Sequence, residues 1–384
     1  MKSVERVMWV LGGAGFLLGI VGLAQRVGGG HMDAGYGTNV PWGLWVAMYA
    51  MMVGMSAGAF IFAAVTYAFG LRSLFPAARI ALPVALATFV GGMLAIWLDL
   101  GHPFRAWKLW LSTGFASVMG WMAWFYLVYF VVLCLLLWLA VVRRQPEGGI
   151  VRVLAWVGIL LALIFGGGEG ALFGVVGARS FWQSGMTAIL FIVEGLLAGV
   201  ALVALAGLLL TDAGERLTAT LGRLVLGLLA LAILFEWAEI SIGYYASVPA
   251  YAESLKLVLF GQFSWVFWGV HVGLGTVLPL VLLAVAGRSK GAVALASGLI
   301  AFTALSTKLN VVIPGLAVPE MQGLRDAYVG PGLSFDYFPT TMEWLVALWI
   351  VASAVLVFLA SYRALGGPSY VAEYRVGARP ALQQ

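Results

Sequence analysis

Ten stretches of about 20 predominantly apolar residues recur through this 384-residue chain, and each is long enough to cross a bilayer as a helix. They run at approximately 7–25, 43–70, 79–100, 118–142, 151–177, 186–210, 221–246, 260–286, 291–314 and 342–363. Inside lipid every backbone N–H and C=O of such a stretch must be satisfied within the protein, so helix is its natural form. Composition agrees: 63% of residues are hydrophobic and 10% charged, against about 45–50% and about 25% in soluble domains. A water-soluble globule is excluded. The 50 glycines and 16 tryptophans suit close helix approach and interfacial anchoring. A net charge of +5 in so apolar a sequence speaks against a nucleic-acid surface and for loops that face anionic membrane lipid. Residues 1–384 read as a single all-α polytopic membrane domain.

An even number of spans puts both termini on one side, and the positive-inside rule selects it. With the N-terminus in the cytoplasm, the inner connections carry Lys2, Arg6, Arg72, Arg79, Arg143, Arg144, Arg152, Arg216, Arg223, Arg288, Lys290, Arg363, Arg375 and Arg379. The outer ones carry only Arg26, Arg105, Lys108, Arg179, Lys256 and Arg325, while Lys308 lies inside the ninth span. Both termini are therefore expected to be cytoplasmic, with 364–384 a cytoplasmic tail, mobile over Tyr370–Gln384. The apolar start lacks a small-residue cleavage site and reads as a retained helix rather than a signal peptide. The outer connections 26–42, 101–117 and 315–341 are long and rich in aromatic, Pro and Gly residues, a composition for a built platform rather than a linker.

Three histidines and one cysteine limit the chemistry. An embedded b-type haem usually takes paired axial ligands, and an iron–sulfur cluster about four thiolates. His31 and His102 fall in polar connections, His271 alone lies in an apolar run, and Cys134 reads as a core residue. No metal site is expected. A redox role would need a diffusible organic carrier such as a quinone, with further cofactors on partner proteins.

An ionisable side chain in the bilayer costs at least about 2.5–3.5 kcal/mol on insertion scales and is a functional candidate by default. The candidates for proton transfer are Asp99, Glu169, Glu194, Glu236, Glu239, His271, Lys308 and Glu343. With the orientation above they lie at mid-depth or in the outer half. The inner halves hold little beyond hydroxyls, indoles and Cys134, too little for a complete side-chain proton wire. Each has a plainer reading. Glu343 could favour the positive end of a helix dipole; Glu236 and Glu239 share a face at i, i+3 and could bond neighbouring helices. Lys308 could pair with one of the acids, and His271 could be a satisfied core histidine. The aromatic stripes Trp121–Phe130 and Phe263–Trp268 read as packing and interfacial belts.

Four segments on the outer side stand out: Asn39-Val-Pro-Trp-Gly-Leu-Trp45; Trp97-Leu-Asp-Leu-Gly-His-Pro-Phe-Arg105; Glu169-Gly-Ala-Leu-Phe-Gly-Val-Val-Gly-Ala-Arg-Ser-Phe-Trp182; and Lys308-Leu-Asn-Val-Val-Ile-Pro-Gly315, followed by Tyr337-Phe-Pro and Glu343-Trp344. Asp99 and Arg105 flank a Gly-His-Pro turn, where an ion pair that merely stabilises the turn is the alternative to a site. Arg179 and Trp182 offer a donor fork and an aromatic plate. A quinone needs an apolar slot, hydrogen-bond partners for two carbonyls, and groups that move protons.

In this order the segments, over roughly 35–350, resemble the NrfD/PsrC family of quinone-interacting membrane subunits. The resemblance implies two four-helix bundles, at 43–177 and 186–314, with peripheral first and last helices and an outer loop at 315–341. It implies multi-pass residence in a bacterial or archaeal cytoplasmic membrane. It also implies menaquinone or ubiquinone near the outer surface, with no haem or iron–sulfur cluster in this polypeptide. Electrons would pass to or from a periplasmic iron–sulfur subunit with four cubane clusters, serving a catalytic subunit, often a molybdenum bis-pyranopterin enzyme. Quinone contacts carried onto this sequence are Asn39, Trp42, Asp99, His102, Arg105 and Arg179. Trp42 stands where some members have histidine, and Glu169 where histidine or a neutral polar residue would fit the pattern, so Glu169 or His102 is the expected substitute for histidine-based quinone protonation. The protein would then be a quinol-oxidising, or quinone-reducing, subunit of a larger oxidoreductase. The competing readings are a proton- or cation-coupled transporter built on Glu194, Glu236, Glu239 and Lys308, and a structural anchor that binds no quinone.

Overall fold

The computed structural model describes residues 2–211, 213–245, 248–319, 321, 323–327, 330 and 334–366. The expected mobile tail at Tyr370–Gln384, with Arg375 and Arg379, lies outside them. All ten apolar stretches are helices of membrane-crossing length: Ser3–Gly29, Leu44–Ala68, Arg72–Asp99, Val118–Val142, Gly149–Gly174, Gly185–Leu210, Glu215–Tyr245, Val266–Ala286, Lys290–Ala317 and Thr341–Ala364. The protein is a multi-pass integral membrane protein. We refer to these helices as the first to tenth spans.

Their limits follow local chemistry. The third span opens with a 3-10 turn at Arg72–Leu74, entered through Gly70 at φ +63°, a left-handed conformation that glycine adopts without strain. The eighth begins later than its apolar run because residues 260–263 turn away from a separate helix, Pro249–Leu259, with proline in its first turn, where the missing N–H costs nothing. The eighth span then winds as a π-helix over Val266–Val277 before continuing as α-helix over Leu278–Ala286. The fourth likewise ends in a π-helical segment, Leu137–Val142. Cys134, expected in the core, is only half-buried.

The second span is the hub. It is buried over 89% of its central window, against 22% for the first span, and packs on the third, fifth, sixth, ninth and tenth. The fourth span lies on the fifth, the seventh on the sixth, and the eighth on the ninth. Glycine spacing makes the central contact possible. Gly54 and Gly58 of the second span meet Gly195 and Gly199 of the sixth, two small-xxx-small pairs that let backbones touch. A methyl on Gly58 would overlap the Gly195 carbonyl, and one on Gly199 would lie 2.5 Å from the Met55 carbonyl oxygen.

The first span packs almost wholly on the tenth. A methyl on Gly19 would sit 2.5 Å from Trp349 Cβ, and one on Gly22 2.5 Å from Leu345 Cβ. Glu5 and Arg363 close this pair at the opposite end through a 2.5 Å ion pair. Two ends thus differ: one carries short connections, and the other the long segments 30–43, 100–117 and 318–340, here called the platform end.

Candidate functional site

At the platform end one buried cation organises three elements. Arg26, in the last turn of the first span, is 2% exposed. Its Nε donates to the Leu98 carbonyl and its Nη2 to that of Leu100, both at 2.7 Å. The carbonyls at the third span's C-terminus, which lack helical partners and carry the negative end of its dipole, are thereby capped. The cap orients Asp99, whose Oδ1 accepts a 2.7 Å hydrogen bond from the Tyr36 hydroxyl. Asp99 thus finds its cation in Arg26 and its donor in Tyr36, not across the turn in Arg105, which is exposed.

The Tyr36 ring packs 5.3 Å from His31, 6.0 Å from Trp45 and 5.9 Å from Tyr337. Burial, reinforced by the Asp99 carboxylate, pushes the Tyr36 phenol well above its usual value, so it remains a proton donor. Burial, and then the Arg26 cation, hold His31 below the usual histidine value and favour its neutral form. Among the described residues, two buried side-chain atoms of the 30–43 segment have no hydrogen-bond partner: His31 Nε2, beside Tyr36, and Asn39 Nδ2, three residues beyond Tyr36 in the sequence. An unsatisfied buried polar group costs roughly 1–3 kcal/mol, so each is available to a ligand.

Glu343, 0% exposed, is committed elsewhere. Its Oε2 accepts from the backbone N–H of Gly35 at 2.8 Å and of Thr340 at 2.9 Å, and its Oε1 from the Tyr337 hydroxyl at 2.5 Å. With Thr340 it forms a capping box at the start of the tenth span, and it ties the 33–37 segment to that helix. Burial and this carboxylate raise the Tyr337 phenol far above its usual value.

Trp42 and Arg179 belong to a neighbouring column. The Trp42 ring stacks on Trp182 at 5.7 Å and meets Phe173 edge-on at 6.0 Å. Trp182 Nε1 donates to the Val311 carbonyl at 2.7 Å, against the backbone of Gly315, where any side chain would enter the indole. Arg179 donates to the Val318 carbonyl at 3.1 Å and so caps the ninth span. The expected plate, Trp182, is buried under Trp42. His102 and Arg105 instead line an open recess of about 480 Å³ with Lys108.

Deeper between the spans lies a second set. Tyr49 and Tyr126 share a short hydroxyl–hydroxyl hydrogen bond, and Tyr126 donates to Glu169 Oε1 at 3.3 Å. Lys308 is within electrostatic reach of Glu169 and pairs with Glu194 at 2.5 Å, its ammonium 3.4 Å from the centroid of Phe191. His271 Nε2 lies 3.0 Å from Glu236 Oε2 and its Nδ1 3.1 Å from Thr307 Oγ1. The π-helical winding there, a feature frequent at functional sites, brings Gly275 against Thr303.

Glu194, Glu236, His271 and Lys308 line one internal cavity of about 40 Å³, room for on the order of two or three waters. Glu239 turns away from Glu236 despite their i, i+3 spacing: Ser184 and Tyr251 donate to its two oxygens, each at 3.3 Å. Arg26, His31, Tyr36, Tyr49 and Tyr126 are absent from the sequence candidates. His31 reads in the sequence as a loop residue, and only its nearness to Arg26, an isolated basic residue at a span's end, hints otherwise.

Among the described residues, ten membrane-crossing helices enclose two groups of buried ionisable side chains, one at the platform end and one around a small cavity, the frame of a multi-pass integral membrane protein. The family model described as "Polysulphide reductase, NrfD" matches residues 34–320, three quarters of the sequence, and the protein belongs to that family. It is 26% identical to the C subunit of the selenate reductase of Mesobacillus selenatarsenatis, over 89% of each protein. It is also 26% identical to the Hdr-like menaquinol oxidoreductase integral membrane subunit of Archaeoglobus fulgidus, over 86% of its own length and 85% of the relative. The C polypeptide of the polysulfide reductase of Wolinella succinogenes is 30% identical, over 64% of the present sequence and 83% of its own.

Proposed function

We propose that this protein is the quinol-binding membrane subunit of a respiratory oxidoreductase in a bacterial or archaeal cytoplasmic membrane. In this reading both termini are cytoplasmic, the platform end faces outward, and residues 43–177 and 186–314 form two four-helix bundles. The quinol headgroup lies beside Asn39, His31, Tyr36 and Asp99. The observation that carries this is the partnerless buried His31 Nε2, its ring 5.3 Å from that of Tyr36, whose hydroxyl donates to Asp99, with a second partnerless buried atom, Asn39 Nδ2, on the same segment. An amide donor, a neutral imidazole and a carboxylate match a ring with two oxygens to be held and two protons to be taken, while the protonated Tyr36 phenol holds the carboxylate in place. The menaquinol oxidoreductase subunit among the relatives makes menaquinone the favoured quinone.

Bound quinol supplies two electrons and two protons. Asn39 Nδ2 donates to a ring oxygen, Asp99 takes one proton on Oδ2, since Tyr36 already donates to Oδ1, and neutral His31 takes the second on its unpartnered Nε2. Arg26 fixes that carboxylate at the C-terminus of the third span. Protons leave toward the platform side. Electrons pass to a peripheral iron–sulfur subunit docked there, and onward to a catalytic subunit of molybdenum bis-pyranopterin type. Trp42 and Arg179 shape the frame beside the ring rather than contacting it. Glu169, reached through Tyr126 and Tyr49, and the Glu194, Glu236, His271 and Lys308 cavity form a lateral store for protons. The cavity's 40 Å³ admits water and no organic solute, which weighs against the transporter reading.

The test uses the complex purified from native membranes. Menaquinol should reduce the co-purifying clusters, and Asp99→Asn should slow that step about 10²–10⁴-fold, the usual contribution of a positioned proton acceptor. Dithionite reduction should not change. Equal menaquinol rates in both proteins would remove the proposal.

A further inference from the structure

The platform end holds a concavity whose chemistry differs from that of the proposed quinol site. We propose that the recess beside the 100–120 segment binds the phosphate of an anionic phospholipid headgroup. Its walls carry His102, Arg105 and Lys108 with the hydroxyls of Ser112 and Ser117, around a volume of about 480 Å³. No aspartate or glutamate occurs between Asp99 and Glu147 in the sequence. Among the described residues neither Arg105 nor Lys108 has an ion-pair partner. Lys108 has only the Trp107 ring, 5.8 Å from its ammonium. The local charge is therefore positive and uncompensated, and a neutral quinone ring would leave it so.

Indole hydrogen bonds pin the segments that carry the recess. Trp97 Nε1 donates to the Pro103 carbonyl at 2.8 Å and Trp110 Nε1 to that of Ala123 at 3.1 Å. Trp121 Nε1 donates to the Phe115 carbonyl at 2.7 Å and Trp124 Nε1 to Thr113 Oγ1 at 3.2 Å. Four anchored indoles set this level as the membrane–water interface, where tryptophan collects. Below and around the cations, Trp107, Leu111, Phe115 and Met119 are exposed. A ligand with an anionic head and apolar chains satisfies both layers at once; free phosphate or an acidic peptide satisfies only the first. The recess is lined by none of His31, Tyr36, Asn39 or Asp99, and lipid binding there does not depend on quinol binding.

The experiment titrates the delipidated full-length protein, in neutral detergent, with phosphatidylglycerol, with phosphatidylcholine of the same acyl composition, and with inorganic phosphate. Native mass spectrometry counts bound lipid. Phosphatidylglycerol should be retained over phosphatidylcholine, and R105Q/K108Q should weaken it on the order of 30-fold, from the usual attraction per basic residue near an anionic surface. Millimolar phosphate should not displace it. The control R216Q/R223Q, which removes two charges at the other end, should bind phosphatidylglycerol like the parent. Equal phosphatidylglycerol binding by R105Q/K108Q and the parent, an equal loss in the control, or displacement by inorganic phosphate would each overturn the proposal. Exclusion of phosphatidylglycerol from the recess in the assembled complex would overturn it in favour of a partner's acidic surface.

Discussion

Lys308 offers the sharpest test of how the buried charges are coupled. The Lys308 and Glu194 side chains are 4% and 12% exposed and meet at 2.5 Å, so neither can turn to water if the other is lost. Lys308→Met keeps the length of the side chain and removes the charge. It strands Glu194, and removing one partner of a buried pair costs about 3–5 kcal/mol. Glu194→Gln should cost a similar amount by stranding the lysine. The double variant has no stranded charge at this pair, and its loss should be smaller than either single loss. Glu169 then remains without the cation within its reach, so adding Glu169→Gln should recover further stability rather than lose it. The assay is unfolding in mixed micelles with increasing dodecyl sulfate, followed by tryptophan fluorescence and assembled as a double-mutant cycle. If the two single losses add in the double variant to within about 0.5 kcal/mol, the value expected of independent sites, the pair is not coupled.

Other expectations follow from the same geometry. Gly58→Ala forces a methyl into the Gly195 carbonyl and should destabilise the protein by about 1–3 kcal/mol, as overpacking usually does; Gly13→Ala, in open space, should be silent in the same unfolding assay. Because burial and Arg26 depress His31 below the ordinary histidine value of 6.5, the unfolded state binds the extra proton first. Stability should therefore rise with pH and be lost as pH falls below about 6.5, with His31→Gln flattening that slope in melting curves from pH 5 to 8. Tyr36→Phe should leave Asp99 without its donor and slow menaquinol oxidation with dithionite reduction of the clusters unchanged; an unaltered rate would take Tyr36 out of the site.

The ten spans are legible in the sequence because apolar run length is a local property that lipid reads directly. The partners of the buried charges are not local. Lys308 and Glu194 are 114 residues apart and Arg26 and Leu98 72 apart, so no spacing rule could join them. Glu236 and Glu239 show the limit of helix periodicity: one face of the seventh span still lets the first side chain reach the eighth span and the second turn toward Ser184 and Tyr251. The π-helix around His271 leaves no mark in a run of Gly, Val and Trp. The Gly54/Gly58 and Gly195/Gly199 repeats, by contrast, carry a readable spacing, but it is diluted among 50 glycines. Glu343 is readable as a helix-start acid, but not the capping box and loop anchor built on it.

That glycine seam has a kinetic consequence. The second and sixth spans touch backbone to backbone, with no intervening side chains to slide or repack, so these two helices are held as one rigid pair. Rocking of the second span against the sixth, the kind of motion by which many carriers expose a site first to one side and then to the other, would have to break this contact. The cavity beside the seam, which Gly54 and Gly195 help to line, thus has one wall that stays in place while side chains rotate and water rearranges.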